Sequence, residues 1–304
     1  MRARYLISAA LVSASLTATT ASAALAPSGH AQAVTSANWS GYVAQSNSGA
    51  GFSSVSGSWV EPSTNCSRGQ GHASFWVGLG GTGQSSPSLE QVGTAADCGA
   101  GGSSDHYAWY ELVPAAPVRL GLGISAGDRL TGKVSVEGTS VMVSLTDTTT
   151  GQSATKTLEM NNPDISSAEW IAEAPSSCDQ TGNCQPLPLG DFGTVRFTSA
   201  SAASNGHIGT ISDPRWTTQP VALDGGSGGY YGSEFVSDRS SGSAQPSGLS
   251  SGGSAFSVSY VGSATGSPAS VSSGSGPGTV YDPSGASFVC VPTSAGWLCG
   301  YVLG

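Results

Sequence analysis

Charge is scarce in this chain: Asp, Glu, Lys and Arg together make up only 10% of its 304 residues. Long amphipathic helices depend on Glu and Lys pairs along their wet faces, so a helical bundle or coiled coil is excluded. Basic residues are scarcer still, 10 against 19 acidic ones. The resulting net charge of -9 has the wrong sign for holding a phosphate backbone, so no nucleic-acid partner is expected. No CxxC pair occurs, and the four histidines (His30, His72, His106, His207) lack HExxH or HxxxH spacing. Neither a metal nor any other cofactor is therefore expected, and Walker and dinucleotide fingerprints are missing as well. No Asp is followed by Ser or Thr and then Gly, which removes the paired-aspartate peptidase motif. What is present is 44 glycines and 38% hydrophobic residues in short runs, enough to bury a sizeable core.

The N-terminus carries the one extended apolar run. Arg2 and Arg4 precede Tyr5 to about Leu16, and Ala21, Ser22 and Ala23 give a small-x-small cleavage pattern, so residues 1–23 read as a secretory signal peptide. A membrane anchor would need roughly twenty uninterrupted apolar residues, whereas Ser13, Ser15, Thr17, Thr19 and Thr20 break this run. The mature chain is expected to be secreted, free of the membrane, monomeric and more acidic, at 8 - 19 = -11. Six cysteines in an exported chain point to disulfides. The simplest pairing closes two short loops, Cys178 with Cys184 and Cys290 with Cys299, and leaves Cys66 with Cys98.

Short alternating segments separated by Gly, Ser, Asn and Asp dominate the middle of the chain, the pattern of antiparallel β-structure. In Arg129 to Glu137, residues Leu130, Gly132, Val134 and Val136 share one face; Val141 to Leu145 and Ser153 to Met160 continue a meander. Further strands are expected at Asn38 to Val43, Ser54 to Val60, Ser74 to Leu79, Leu89 to Val92, Tyr107 to Val113, Ala168 to Ala172, Thr194 to Thr198 and Phe256 to Val261. So many short strands must stack or close, and an all-β sandwich of two antiparallel sheets is the expected fold. Ser237 to Gly253 reads as a surface loop. Residues 24–34 form a short leading segment, 35–262 the main domain, 263–278 a Gly/Ser linker and 279–304 a C-terminal extension with two cysteines.

Two GxSxG patterns, at Gly225, Ser227, Gly229 and at Gly248, Ser250, Gly252, lie in low-complexity sequence without the strand and helix that make such a serine reactive. More informative are carboxylates and amides embedded in aromatic strands: Glu90 and Gln91, Glu111 after Trp109 and Tyr110, and Glu169 and Glu173 around Trp170. By strand alternation Glu169, Ile171 and Glu173 share a face, while Glu90 and Gln91 point oppositely. Glu90 and Glu169 read as structural or exposed. Glu111 reads as a cleft residue or a buried carboxylate bonded to tryptophan or backbone.

The ordered series Asn38 to Tyr42 (NWSGY), Phe75 to Gly78 (FWVG), Glu90 to Gly93 (EQVG), Ala108 to Glu111 (AWYE) and Ala168 to Pro175 (AEWIAEAP) resembles the eqolisins, the glutamic peptidases, in their bacterial branch. The resemblance covers roughly three quarters of the chain, Thr35 to Val261. It implies a two-sheet β-sandwich, a metal-independent endopeptidase active in acid on protein or peptide substrates, and a catalytic pair at Gln91 and Glu173. Trp39, Trp76 and Glu111 match supporting positions around the same cleft. Two departures stand out: Gly80 where many relatives carry an acid, and Val113 where many carry tyrosine. Outside this resemblance, a β-sandwich glycoside hydrolase using Glu111 and Glu173 and a non-catalytic secreted carbohydrate-binding module also fit the composition. The stretch between Ala23 and Thr35 is too short for a folded inhibitor, so any latency is expected from pH alone.

Overall fold

The computed structural model describes residues 33–82, 88–99, 101–178, 184–224, 242–262, 287–293 and 296–302. The stretches read as a signal peptide (1–23) and a linker (263–278), most of residues 24–34, and the GxSxG at Gly225 lie outside these residues. Twenty strands are formed among them. They are β1 (Val34–Ser36), β2 (Trp39–Ser46), β3 (Phe52–Val60), β4 (Ser74–Gly80), β5 (Leu89–Cys98), β6 (Ser104–Val113), β7 (Val118–Gly123), β8 (Arg129–Glu137), β9 (Ser140–Asp147) and β10 (Gln152–Glu159). There follow β11 (Ser167–Glu173), β12 (Ser176–Cys178), β13 (Cys184–Pro186), β14 (Thr194–Ser204), β15 (His207–Thr210), β16 (Trp216–Asp224), β17 (Ser243–Pro246), β18 (Phe256–Tyr260), β19 (Ser287–Thr293) and β20 (Gly296–Val302). No helix among the described residues is long and apolar enough to cross a membrane.

One continuous sheet runs in the order β10-β9-β8-β3-β14-β18-β17-β16-β2-β11-β4-β5-β6-β7, and its ladders along this path are antiparallel. It folds over at β17, which pairs with both β16 and β18, so β3 and β8 pack on β4, β5 and β11. The expected sandwich thus has two layers curled into a near-barrel from one strand path, each turning one face toward the other layer. Alternation explains this: on β8, Leu130, Gly132 and Val134 are buried and Arg129, Lys133 and Glu137 exposed.

The main core lies between the layers and includes Phe52, Trp59, Phe75, Val77, Trp170, Phe197 and Phe256. Trp170 fits because β3 offers Gly57: a Cβ there would come within 2.9 Å of the indole. The indole Nε1 then donates to the Ser56 carbonyl at 2.8 Å, joining the layers. A second, smaller apolar cluster, with Trp39, Val43, Trp76, Trp109 and Ile171, covers the opposite face of β2, β11, β4, β5 and β6. That face carries the candidate site.

Cys66 and Cys98 are joined by a disulfide with 5.2 Å between Cα atoms. Cys184 is also disulfide-bonded and stands opposite Cys178 in the β12–β13 ladder, as Cys290 stands opposite Cys299 in the β19–β20 hairpin. Of the loop expected over Ser237 to Gly253, residues 237–241 lie outside the described residues, and the rest contains β17, which closes the fold between β16 and β18. β16 escaped the sequence reading for a different reason. Pro220 within it lacks an N–H, but it pairs with Tyr42 of β2, and the opposite flank is engaged only from Val221 onward.

Candidate active site

Trp76 organises the site face. On this face of β4 its neighbours are Ser74 and Gly78, with Gly93 across on β5. A Cβ at Gly78 would lie 2.9 Å from Trp76 Cζ3 and 3.2 Å from Gln91 Cβ, and one at Gly93 would lie 2.6 Å from Trp76 Cβ. Only glycine at both positions lets the indole lie along the sheet. Its Nε1 then donates to Glu173 Oε2, at the end of β11, at 2.7 Å, while Cζ3 and the Gln91 Cβ flank the space above Gly78. Trp39, edge-on to Trp76 with centroids 5.1 Å apart, also hydrogen-bonds Glu173.

Glu173 Oε1 accepts from Asn38 Nδ2 at 2.9 Å. On the far side Gln91, 4% exposed, donates from Nε2 to Glu111 Oε2 at 2.7 Å across the β5–β6 ladder. Its Oε1 has no protein partner. Burial pushes the Glu173 carboxyl up to about 7 against the pull of its three donors. Burial first, and then the charge of Glu173, raise Glu111 to about 8 against the single bond from Gln91. Two carboxyls that feel one another in low dielectric do not readily ionise together, so the pair is chiefly protonated below about 7 and takes up a single negative charge first. The better-donated Glu173 ionises first.

Where the sequence left Glu90 and Glu169 structural or exposed, both are fully buried. Glu169 lies on the site face beside Gly78; burial chiefly, with Asp164 and Glu90 adding, holds it well above the usual range, in its neutral form. Glu90 faces the other way and accepts the Asp164 N–H at 3.1 Å. Asp164 also answers the departure at Gly80: its Cβ lies 2.6 Å from where a Cβ at position 80 would be, and its Oδ2 accepts the Gly81 N–H at 3.3 Å. A carboxylate therefore reaches that corner from the segment before β11. Val113, the other departure, packs against the site-face cluster. Ser250 of the second GxSxG is exposed and its hydroxyl donates to the Ala255 carbonyl at 3.2 Å.

The sequence profile of the Peptidase A4 family matches residues 37–222. The chain belongs to this family. Aspergillopepsin-2 of Aspergillus niger is 32% identical over 217 residues, 62% of this chain and 72% of that protein. Scytalido-glutamic peptidase, solved with a transition-state analogue inhibitor, superposes with a TM-score of 0.58 at 25% identity, over 74% of this chain and 98% of the other. SCP-B, an eqolisin solved with the tripeptide Ala-Ile-His, gives a TM-score of 0.56 at 24% identity, over the same shares of the two chains. This Peptidase A4 member is a glutamic endopeptidase, which removes the glycoside hydrolase and the non-catalytic binding module.

Within the peptidase, two features were not legible beforehand. Asn38 was visible only as part of a motif, and nothing local marks its amide as a partner of a residue 135 positions away. The second is a buried polar chain behind the sheet: Trp59 Nε1 donates to Thr94 Oγ1 at 3.0 Å, Thr94 donates to Glu61 Oε2 at 2.5 Å, and Glu61 Oε1 meets His106 Nδ1 at 3.0 Å. Burial raises Glu61, and its hydrogen bond to His106 raises the imidazole. His72 instead pairs with Asp97 at 3.1 Å.

Proposed function

We propose that the protein is a secreted endopeptidase working on the acid side of neutrality, in which Glu173 activates the attacking water and Gln91 stabilises the oxyanion. The observation that carries this reading is the carboxyl of Glu173 gripped by Asn38 and Trp76, with the Gln91–Glu111 pair on the same face and close enough that the Glu173 charge acts on Glu111. Ionised Glu173 takes a proton from water as the oxygen bonds to the scissile carbonyl carbon. The carbonyl π electrons move onto oxygen, where Gln91 meets them with the N–H that Glu111 does not use. When the intermediate collapses, the C–N bond breaks and Glu173 returns its proton to the leaving amine. Water is consumed, acid and amine are formed, and Glu173 ends as it began.

On the acid side of neutrality Glu173, raised to about 7, is ionised in part, while Glu111, raised to about 8, is still protonated, so the charge that the pair carries lies on Glu173. Glu61, Glu90 and Glu169 are all raised by burial, so the fold itself favours protonated carboxyls. Trp39 and Trp76 position Glu173, and Glu111 holds Gln91. Export rests on the signal pattern of residues 1–23 and on the disulfides; the peptidase unit is residues 35–262, followed by a linker at 263–278 and an extension at 279–304. The substrates are proteins or peptides, and the enzyme acts as a monomer.

Digestion of a denatured protein from pH 3 to 8, with a chelator present, tests this reading. Wild type should cleave with an acid limb above the usual glutamate range of about 4.3, and Glu173→Gln and Gln91→Ala should each lose at least about a hundredfold in kcat. An inert wild type, or a fully active Glu173→Gln, refutes the assignment.

A further inference from the structure

Asn38 stands immediately before β2 and is 2% exposed. Its side chain donates to Glu173 Oε1, and its backbone carbonyl accepts the N–H of Ala174 at 2.8 Å. It therefore holds both the carboxyl and the peptide unit that follows it. Asn38 is itself held from behind: the fully buried Ser36 Oγ accepts the backbone N–H of Asn38 at 3.3 Å and of Trp39 at 3.0 Å. The Asn38 Oδ1 is buried without a protein partner, so no competing bond turns the amide away from Glu173.

The two carboxyls of the site compete for one charge, and the donors decide between them. Glu111 receives one side-chain bond, from Gln91, while Glu173 receives bonds from Trp76, Trp39 and Asn38. Trp76 serves Oε2 and Asn38 serves Oε1. An amide does not titrate, so this donor persists at every pH. The other ionisable groups on the face are Glu169 on the same strand, Asp97 at the far end of β5, which pairs with His72, and Asp105 and Tyr107 on β6, with Tyr107 donating to Asp97 and lying beneath Arg119. The facing positions of β2 and β4 carry no charged group.

We propose that Asn38 is a positioning residue for hydrolysis: by donating to Glu173 Oε1 it keeps the shared negative charge on Glu173 rather than on Glu111. The proposal rests on the reading of Glu173 as the base. With the amide gone, charge passes toward Glu111, whose Oε2 is already engaged by Gln91. The enzyme then has the same charge in the wrong place.

The test combines infrared titration of the Glu173 carboxyl, assigned by its loss in Glu173→Gln, with pH profiles of kcat/KM on a peptide substrate. Wild type, Asn38→Ala, Asn38→Ser and Asn38→Asp are compared. In Asn38→Ala and Asn38→Ser the Glu173 titration should rise by about one pH unit, and kcat/KM should fall about tenfold below the acid limb while approaching wild type above it, chiefly through kcat. Asn38→Asp, which adds a charge once ionised, should raise the titration further. An unmoved titration, or a loss of the same factor at every pH, overturns the proposal. If Asn38→Ala does not fold, the better-matched Asn38→Ser and Asn38→Asp decide. If wild type cleaves nothing, the hydrolytic reading falls, and the infrared shift by itself settles whether Asn38 localises the charge.

Discussion

Replacing Glu90 by glutamine should make the protein more resistant to rising pH. Glu90 is fully buried on β5, and burial chiefly, with Asp164 adding, pushes its carboxyl up to about 8. Oε1 accepts the Asp164 N–H, and Oε2 has no protein partner. In the unfolded chain the same group titrates near about 4.3, so between that value and about 8 the folded state binds more protons than the unfolded one. Stability therefore falls as pH rises through this window and levels off above it. Each pH unit is worth about 1.4 kcal/mol, so Glu90 alone withdraws roughly 5 kcal/mol between pH 4 and pH 8. Glutamine keeps an oxygen for the Asp164 N–H, matches the volume and cannot ionise. Urea unfolding at pH 4 should find Glu90→Gln within about 1 kcal/mol of wild type. At pH 8 the variant should be more stable by about 3 to 5 kcal/mol. Equal pH slopes in the two proteins would refute the reasoning, because they would mean that Glu90 is hydrated or stably ionised in the fold.

Other perturbations test different parts of the molecule. Trp76→Phe removes the donor to Glu173 Oε2; with a charge-assisted bond worth about 1.5 to 3 kcal/mol, the acid limb of kcat/KM should move up by about one to two pH units. Thr94→Val leaves Glu61 Oε2 and Trp59 Nε1 without the bonds recorded for them, and should cost at least about 1 to 3 kcal/mol in denaturant unfolding. Opening the Cys66–Cys98 bridge by a double change to serine releases a loop closed over a separation of 32 residues, for which loop-closure entropy gives about 3 to 4 kcal/mol, read as a lower urea midpoint. Gly78→Ala places a methyl 2.9 Å from the Trp76 ring; it should displace the indole and cut kcat more than about tenfold, visible beside an altered tryptophan fluorescence.

The β class and most strand positions were readable because side-chain direction alternates with period two, a local property. β8 and β11 illustrate this, with bounds at or within a residue or two of those expected. Several strands that escaped notice have a composition that argues against a strand in isolation: β16 contains Pro220, β7 holds two glycines in six residues, and β17 is a four-residue piece ending in Pro246. β7 is held by its neighbour β6, and β16 by β2, far away in the chain. At the site, alternation put Glu169, Ile171 and Glu173 on one face and separated Glu90 from Gln91. It could not say that Glu90 and Glu169 are both dry, since desolvation depends on residues brought in from other strands.

What the amino-acid order alone settled is the side of each strand on which a residue stands, because that needs only the geometry of neighbouring peptides. Which side chains meet was left to the folded sheet. The indole of Trp76 lies along the sheet and reaches Glu173 only because glycines at positions 78 and 93 clear its path, and Asp164 enters the corner at Gly80 from a segment more than eighty residues away. Proton affinity belongs to the same class of property. It is fixed by how much water is excluded and by which donors converge, and both are decided by contacts between residues far apart in the chain.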